Sequence, residues 1–419
     1  MRCGELTEDY FPPPEVEGGW RTADPHTLGI DADQLHDAIT WHDCEETFTK
    51  KYGGALVIIY KGHLIGESYV TGTEGGPRPW LQRTCNDMKS SAKSVFGTAV
   101  GLFLDEHSDK VNLDTLLVGT SRRNSLIPQI WDQPLTDERK KKIKVKNVLS
   151  MTSGHETNEP WLAPSPRHHY QGHSGSYQMY EYCFGWWHFE EIPSHNTLLF
   201  EPGQGFNYSS FGLEQLALAM RNITGEEVSP YVYDRVLKHI GMPIGIRDNQ
   251  FKEVPYRSEK KFNFSDEPGW GRGGSLGCNA YGADRSASPY GYNTIVSSTF
   301  PCTARDYARL GYLWLKRGRW RNQQLIPEKW VKNATKRFTR DDSETPSNYG
   351  YTFWIQDEWK NVPRDTFMTR GNNLNDSYII PSLDLVVVRQ GNENNTNEGR
   401  ASFREKVIEK IVESIPQKK

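Results

Sequence analysis

A serine placed three residues ahead of a lysine, where a polar stretch becomes helical and apolar, is the arrangement in this chain best suited to chemistry. The stretch runs from Cys85 to Leu104, and its Phe96, Ala99, Val100 and Phe103 fall at helical spacing, which predicts a helix with one buried face. Ser90 stands at the start of that helix and Lys93 one turn on, on the same side. A serine hydroxyl is a weak nucleophile until a base takes its proton. A lysine that is partly desolvated and close to the positive end of a helix has its pKa lowered and can be that base. The spacing alone is a weak signal. Ser258 and Lys261 repeat it in a charged, unpatterned run, and an N-capping serine beside a solvated lysine is written the same way.

Two other constellations compete with it. Gly273 to Gly277, with Ser275 at the centre, satisfies the Gly-x-Ser-x-Gly pattern of a nucleophile on a strand-to-helix turn, but neither flank supplies the strand or the helix. It reads as a glycine-rich loop near the cleft. His168, His169 and His173 cluster in a loop-like segment with no carboxylate or cysteine at ligand spacing, so no metal is expected, and nothing calls for a cofactor.

The elements that must position Ser90 and Lys93 lie on both sides of them. Residues 1 to about 30 are rich in Pro and Gly and read as an extended arm, followed by a helical pattern over 32–50. Gly54 to Tyr60 and Leu64 to Val70 flank Lys61-Gly62-His63 and predict a hairpin. Lys144 to Met151 predicts a short helix, and Glu201 to Gly212 leads into another over 213–224. Between them, 155–200 is a long aromatic-rich insertion; 251–295 is a second irregular stretch. Trp186 and Trp187, in the first insertion, either belong to the core or wall an acyl pocket. Thr303 to Arg317 predicts a helix. Strands are expected over 349–356, 366–370, 377–380 and 383–389, then a final helix over 402–414. Strands at both ends and helices between them predict one antiparallel sheet joining 54–70 to the strands after 349. The domain reading is an α/β part from 1–88 and 300–419 and a mainly helical lobe, with long loops, from 89–299.

Composition bounds the partners. The chain has 419 residues, a formal net charge of -3 and 12% aromatic residues. That charge gives no basic footprint for a nucleic acid, and no apolar run is long enough to span a membrane. Six cysteines are scattered without a Cys-x-x-Cys pair, so free thiols are the default and one or two bridges are possible if the protein is exported. The first residues lack the apolar core of a signal peptide. The localisation reading leans to an exported, periplasmic protein whose signal has been removed, over a cytoplasmic one. The oligomeric state is left open.

Five ordered blocks then carry a resemblance. They are Ser90-Ser91-Ala92-Lys93-Ser94, Leu149 to Gly154, Glu201-Pro202-Gly203 with Phe206 to Ser209, Thr303 to Gly311, and Pro381 to Val388. Together they resemble the serine β-lactamase and penicillin-binding-protein superfamily. The nearest branch is that of the class C β-lactamase-like hydrolases, with its family VIII-type esterases and aminohexanoate-oligomer hydrolases. The resemblance implies a β-lactamase/transpeptidase-like α/β fold, an antiparallel sheet flanked by helices plus a mainly helical lobe. It implies a nucleophile at Ser90 with Lys93 as its partner and Tyr208 as proton shuttle. Ser210 stands where the family's Tyr-x-Asn element has asparagine. Thr369-Arg370-Gly371 stands for the family's Lys-Thr-Gly or His-x-Gly, and the amides of Ser90 and Asn372 would form the oxyanion hole. Substrate contacts would fall to Ser210, Arg370, Gly371, Asn373, Trp186 and Trp187. With the lysine absent, Arg370 either substitutes for it or points elsewhere.

The expected activity is hydrolysis through an acyl-enzyme on Ser90, with a small-molecule ester, amide or lactam as partner. A carboxylesterase on small acyl groups is favoured over a β-lactamase or D-Ala-D-Ala-type peptidase or amidase, because an ester needs less help with its leaving group. The remaining alternative is a catalytically degenerate β-lactam-binding sensor.

Overall fold

The apolar run Gly54–Tyr60 has no polar face, so as a strand it needs cover on both sides. The computed structural model of the chain gives it a place inside a sheet with a core on each face. The structure describes residues 10–44, 49–73, 80–132, 135, 137–155, 197–242, 296–297, 300–338, 348–356, 359–391 and 397–416, with the short segments 246–247, 253–254, 283–284 and 293–294. The sequence-predicted positions Trp186, Trp187, Ser275, His168, His169 and His173 lie outside the described residues.

The elements that build the site, in chain order, are α1 (Ala32–Cys44), β1 (Gly54–Tyr60), β2 (His63–Val70), α2 (Ala92–Glu106), α3 (Phe211–Thr224), α4 (Ala304–Leu315), β3 (Trp354–Ile355), β4 (Phe367–Gly371), β5 (Asn375–Ile380), β6 (Leu385–Gly391), α5 (Asn397–Phe403) and α6 (Glu409–Ser414). Among the described residues the largest sheet has six strands in the order β3-β4-β5-β6-β1-β2, antiparallel throughout. It joins the N-terminal hairpin to the strands after residue 349, as expected. β1 pairs along its length with β6, from Gly54 opposite Gly391 to Tyr60 opposite Leu385. The hairpin turns through Lys61 and Gly62, both at positive φ (48° and 73°), the geometry of a two-residue loop.

Alternation along β1 sends Ala55, Val57 and Ile59 into one core, shared with Phe96 and Val100 of α2 and Leu310 of α4. Leu56, Ile58 and Tyr60 face a second core with Leu35 of α1 and Ile411 of α6. α2 departs from the expectation of a single buried face, since every residue from Ala92 to Phe103 is buried. It is surrounded by other elements: the Trp314 indole of α4 donates to Thr98 Oγ1 at 2.9 Å, and Trp330 lies against Gly101.

Several boundaries differ from the sequence reading for local reasons. The strand expected over 349–356 shrinks to β3, because Thr352 bends the chain at φ 65° and its carbonyl accepts from Ser94 Oγ at 2.5 Å. β6 begins at Leu385, after a 3-10 turn at Pro381–Leu383 and a left-handed Asp384. The C-terminal helix starts at Asn397 and is interrupted by a π turn at Arg404–Ile408. Residues 12–15 of the arm lie on α4, where the buried Arg309 guanidinium donates to the carbonyls of Pro12 (3.0 Å) and Pro13 (2.6 Å) and to Glu15 Oε1 (2.7 Å). Cys302 is a buried free thiol, Cys44 an exposed one, and Cys85 is disulfide-bonded. Among the described residues no helix is long and apolar enough to cross a membrane.

Candidate active site

Ser90 lies in a 3-10 turn (Lys89–Ser91) that runs directly into α2. The turn is fixed from below by Asp87, whose Oδ1 accepts from the amides of Lys89 and Phe300, each at 3.0 Å. Lys89 holds φ 54°, an uncommon conformation for a long side chain, and its ammonium pairs with Asp87 Oδ2 at 3.0 Å. On the far side of the turn Ser91 Oγ donates to Asn375 O at 2.6 Å. The half-buried Ser90 is therefore positioned by the Asp87 and Ser91 side chains, which tie its turn to the backbone of the neighbouring segments.

Lys93 is 1% exposed and lies where the one-turn spacing puts it. Its Nζ donates to Ser90 Oγ at 3.0 Å and to the Ser297 carbonyl at 2.7 Å. The segment carrying that carbonyl is held by Glu214 of α3. Glu214 Oε1 accepts from the amides of Val296 (3.2 Å) and Ser297 (3.0 Å). Burial pushes the Glu214 carboxyl up to about 7, against the pull of the Ser297 and Val296 hydrogen bonds and of the Lys93 charge. The sequence reading passed over Glu214, although a carboxylate inside the apolar pattern of α3 is a visible anomaly.

A stability test follows with a definite sign. A carboxyl with a raised folded pKa binds more protons folded than unfolded, so its contribution is full below 4.5 and is lost as the pH rises through about 7. Glu214→Gln removes that loss while keeping an oxygen for the two amides. The melting temperature of the variant should gain on the wild type steadily from pH 4.5 to pH 7, by the equivalent of about 3 kcal/mol at the upper end. A difference that stays constant across that range would refute it.

The Leu149–Gly154 block and the segment leading to Tyr208 are locked together. Met151 O accepts from the Asn207 amide (2.9 Å), Thr152 O from the Gly203 amide (2.8 Å), and Asn207 Nδ2 donates to His155 O (2.6 Å). Tyr208 is thereby set beside Lys93, whose Nζ is 5.0 Å from the centre of the phenol ring. The ring stacks on Trp354 of β3 (5.6 Å) and meets Tyr349 edge-on (6.0 Å), with Phe206 exposed at the outer side of this aromatic wall. Ser210 is 1% exposed at the first turn of α3.

The end of β4 meets the turn that carries Ser90 backbone to backbone. A Cβ on Gly371 would overlap the Met88 carbonyl oxygen, two residues before Ser90, so only glycine fits this approach. Asn372 follows and is exposed; Asn373 and Leu374 both take positive φ (64° and 54°). The turn's carbonyls all have donors. Arg400 of α5 donates to Gly371 O (2.7 Å), Asn375 Nδ2 to Asn372 O (2.7 Å), and the buried Arg389 to Asn373 O (3.0 Å) and Leu374 O (3.3 Å).

Thr369 and Arg370 are successive residues of β4 and so face opposite sides of the sheet. Thr369 Oγ1 meets the buried Tyr307 hydroxyl of α4. Arg370 lies on the other side, its guanidinium 5.4 Å from the Trp354 ring centre and 5.7 Å from that of Trp359, with Nε on Met368 Sδ at 3.2 Å. Burial pulls its pKa down, opposed by Tyr378 and Asp376 on the neighbouring strand. Ser90, Lys93, Tyr208, Ser210, Gly371, Asn372 and Asn373 thus belong to segments that meet around the start of α2, whereas Arg370 is packed among indole rings. Glu214, Asn375, Arg389, Arg400 and Trp354 support the site without having been singled out in the sequence.

This architecture has many relatives among solved structures. A penicillin-binding-protein homologue from Caulobacter crescentus is similar with a TM-score of 0.61 at 14% identity, over 91% of this chain and 98% of that one. A protein from Bacillus anthracis, provisionally named a 6-aminohexanoate-dimer hydrolase, gives 0.61 at 17% identity over 98% and 92%. A family VIII carboxylesterase gives 0.59 at 14% identity over 91% and 97%. None of the curated proteins matches in sequence. At such identities the likeness carries the fold. The beta-lactamase family profile, however, matches residues 41–409, from within α1 to the start of α6, and so takes in the hairpin, the Ser90 turn and the whole sheet. The chain is a member of the beta-lactamase family, a serine hydrolase by fold and lineage.

Proposed function

We propose that this hydrolase forms an acyl-enzyme on Ser90 and acts as a carboxylesterase on small acyl substrates. The observation that carries the reading is the 3.0 Å contact between Lys93 Nζ and Ser90 Oγ in a pocket where Lys93 is all but sealed from water. In its neutral form the amine gives one N–H to Ser297 O and turns its lone pair to the Ser90 hydroxyl. As Oγ attacks the acyl carbon, Nζ takes the hydroxyl proton, and the oxyanion forms between the amides of Ser90 and Asn372. Collapse breaks the bond to the leaving group, and Tyr208, beside the ammonium of Lys93, returns a proton to the departing oxygen. Water then attacks the acyl-enzyme by the same route in reverse, releasing the carboxylic acid and Ser90.

Preference for an ester rests on what greets the substrate beside Gly371. Thr369 replaces a lysine and spends its hydroxyl on Tyr307, and Arg370 packs against Trp354 and Trp359. Among the described residues of β4 no lysine stands beside Gly371 to attract the carboxylate of a β-lactam or a peptide terminus. Phe206, Tyr349 and Trp354 favour an apolar or aromatic group beside Tyr208.

A panel of p-nitrophenyl esters, nitrocefin and a D-Ala-D-Ala peptide tests the reading. Short-chain esters should give kcat/KM at least about 100-fold above nitrocefin, the scale of a lost charge-assisted contact of 2–3 kcal/mol. Arg370→Ala should leave the ester rate within about threefold, since on this reading its guanidinium is spent on Trp354 and Trp359 and does not receive the substrate. Nitrocefin turnover that approaches the best ester rate and disappears in Arg370→Ala would decide for a β-lactamase instead.

A further inference from the structure

The Gly371–Asn372 peptide is held from its carbonyl end by a charge. Arg400 Nη2 donates to Gly371 O at 2.7 Å, while its Nη1 is paired with Asp376. Asp376 Oδ1 in turn accepts from the Gly371 amide at 3.1 Å, so Arg400 and Asp376 grip the same glycine on both sides. The Gly371 carbonyl and the Asn372 N–H belong to one planar, resonance-coupled unit. Fixing the carbonyl fixes the direction of the N–H, and a cationic donor on the carbonyl draws charge from the nitrogen and makes its N–H a stronger donor. We propose that Arg400 is a positioning residue for acyl transfer, acting through the Gly371–Asn372 peptide to aim and strengthen the Asn372 N–H that receives the oxyanion. The inference rests on the reading of Ser90 and Asn372 given above.

The surroundings fit that role better than a purely structural one. The left-handed Asn373 and Leu374 are held separately by Arg389, and the Asn372 carbonyl by Asn375, so the turn does not depend on Arg400 alone to keep its shape. Arg400 is the one among these side chains that reaches the peptide bearing the Asn372 N–H through its carbonyl. Asp376 neutralises the guanidinium and leaves it a poor counter-ion for substrate: burial works against the Arg400 charge, and Asp376 together with Tyr378 and Tyr208 holds the charge in place. Arg400 reaches the site through the Gly371 carbonyl.

The experiment compares an ester with its thionoester in the full-length protein. Sulfur is a weak hydrogen-bond acceptor, so a thionoester draws little from the oxyanion hole. Arg400→Lys keeps a cation for Asp376 but cannot keep both contacts. It should lower kcat/KM for p-nitrophenyl acetate about 10- to 50-fold, a fraction of the 10²–10³ for deleting a whole donor, with KM changed by less than about threefold. The rate on the thionoester should fall by no more than about threefold, so that the oxygen-to-sulfur rate ratio is compressed. If Arg400→Lys does not fold, the pair Arg400→Gln with Asp376→Asn removes both buried charges together and should compress the ratio in the same way. Equal losses on the two substrates, or no loss on either, would overturn the inference while leaving the serine hydrolase reading intact. Full turnover by Ser90→Ala would instead overturn that reading, and the inference with it.

Discussion

Ser90→Ala should give a folded protein whose hydrolysis of p-nitrophenyl esters is down by about 10⁴-fold or more, because the covalent route is gone and only binding and the oxyanion hole remain. The fold should not notice. The hydroxyl is small and half-buried, and its hydrogen bond among the described residues is with Lys93; the turn is held by Asp87, Ser91 and the backbone. The melting temperature should stay within about 2 °C, the scale of a surface change under 0.5 kcal/mol. On the proposed mechanism Lys93→Met should cost activity on a similar scale, because it removes the base proposed for Ser90, and the methionine fills the buried stem's place. The double variant should be no slower than either single one, since two parts of one proton-transfer unit cannot be lost twice. Labelling by a fluorophosphonate probe should fail in both. If Ser275→Ala silences the protein and Ser90→Ala does not, the nucleophile has been assigned to the wrong serine.

How much of this was legible in the sequence depends on how far apart the partners lie in the chain. Ser90 and Lys93 meet because one helical turn separates them, and spacing alone conveys that. The sheet was legible from β-rich runs at the two ends of the chain; β1's unbroken apolar run also calls for cover on both faces, which the expectation of a hairpin did not take up. What holds the Asn372 turn was not legible. Asn86 Nδ2 reaches Asn375 Oδ1 across 289 residues, and Arg400 reaches Gly371 across 29 with no periodicity to announce it. Arg370 is an intermediate case. Strand alternation requires it to face away from Thr369, but which side carries the cleft is set by α2 and α4 packing on the sheet, a tertiary fact. The same holds for Thr352, whose left-handed bend cuts β3 to two residues so that its carbonyl can meet Ser94. Propensity favours a strand there and a contact to a distant helix overrides it.

Gly371→Ala should be the most damaging change of a single methyl. Gly371 has φ -116° and ψ 154°, a conformation alanine adopts freely, so the effect is steric alone. The added Cβ would overlap Met88 O and stand 2.9 Å from Asn375 O, and both are backbone atoms that cannot rotate aside. β4 must therefore draw back from the turn that carries Ser90, taking the Asn372 amide with it. A displacement of about 1 Å in a catalytic donor costs on the order of 100-fold, and full loss of the donor up to about 1000-fold, mostly in kcat. Overpacking should lower stability by about 1–3 kcal/mol as well. Gly66→Ala separates the two effects. Its Cβ would come 2.8 Å from Ile39 Cδ1, the tip of a side chain that can swing away, on the edge strand β2 that no site residue shares. It should lose some stability and keep kcat/KM within about threefold. Gly371→Ala with wild-type kcat would mean that the end of β4 does not deliver the oxyanion donor. In that event, a second amide facing Ser90 would have to be sought elsewhere around the start of α2.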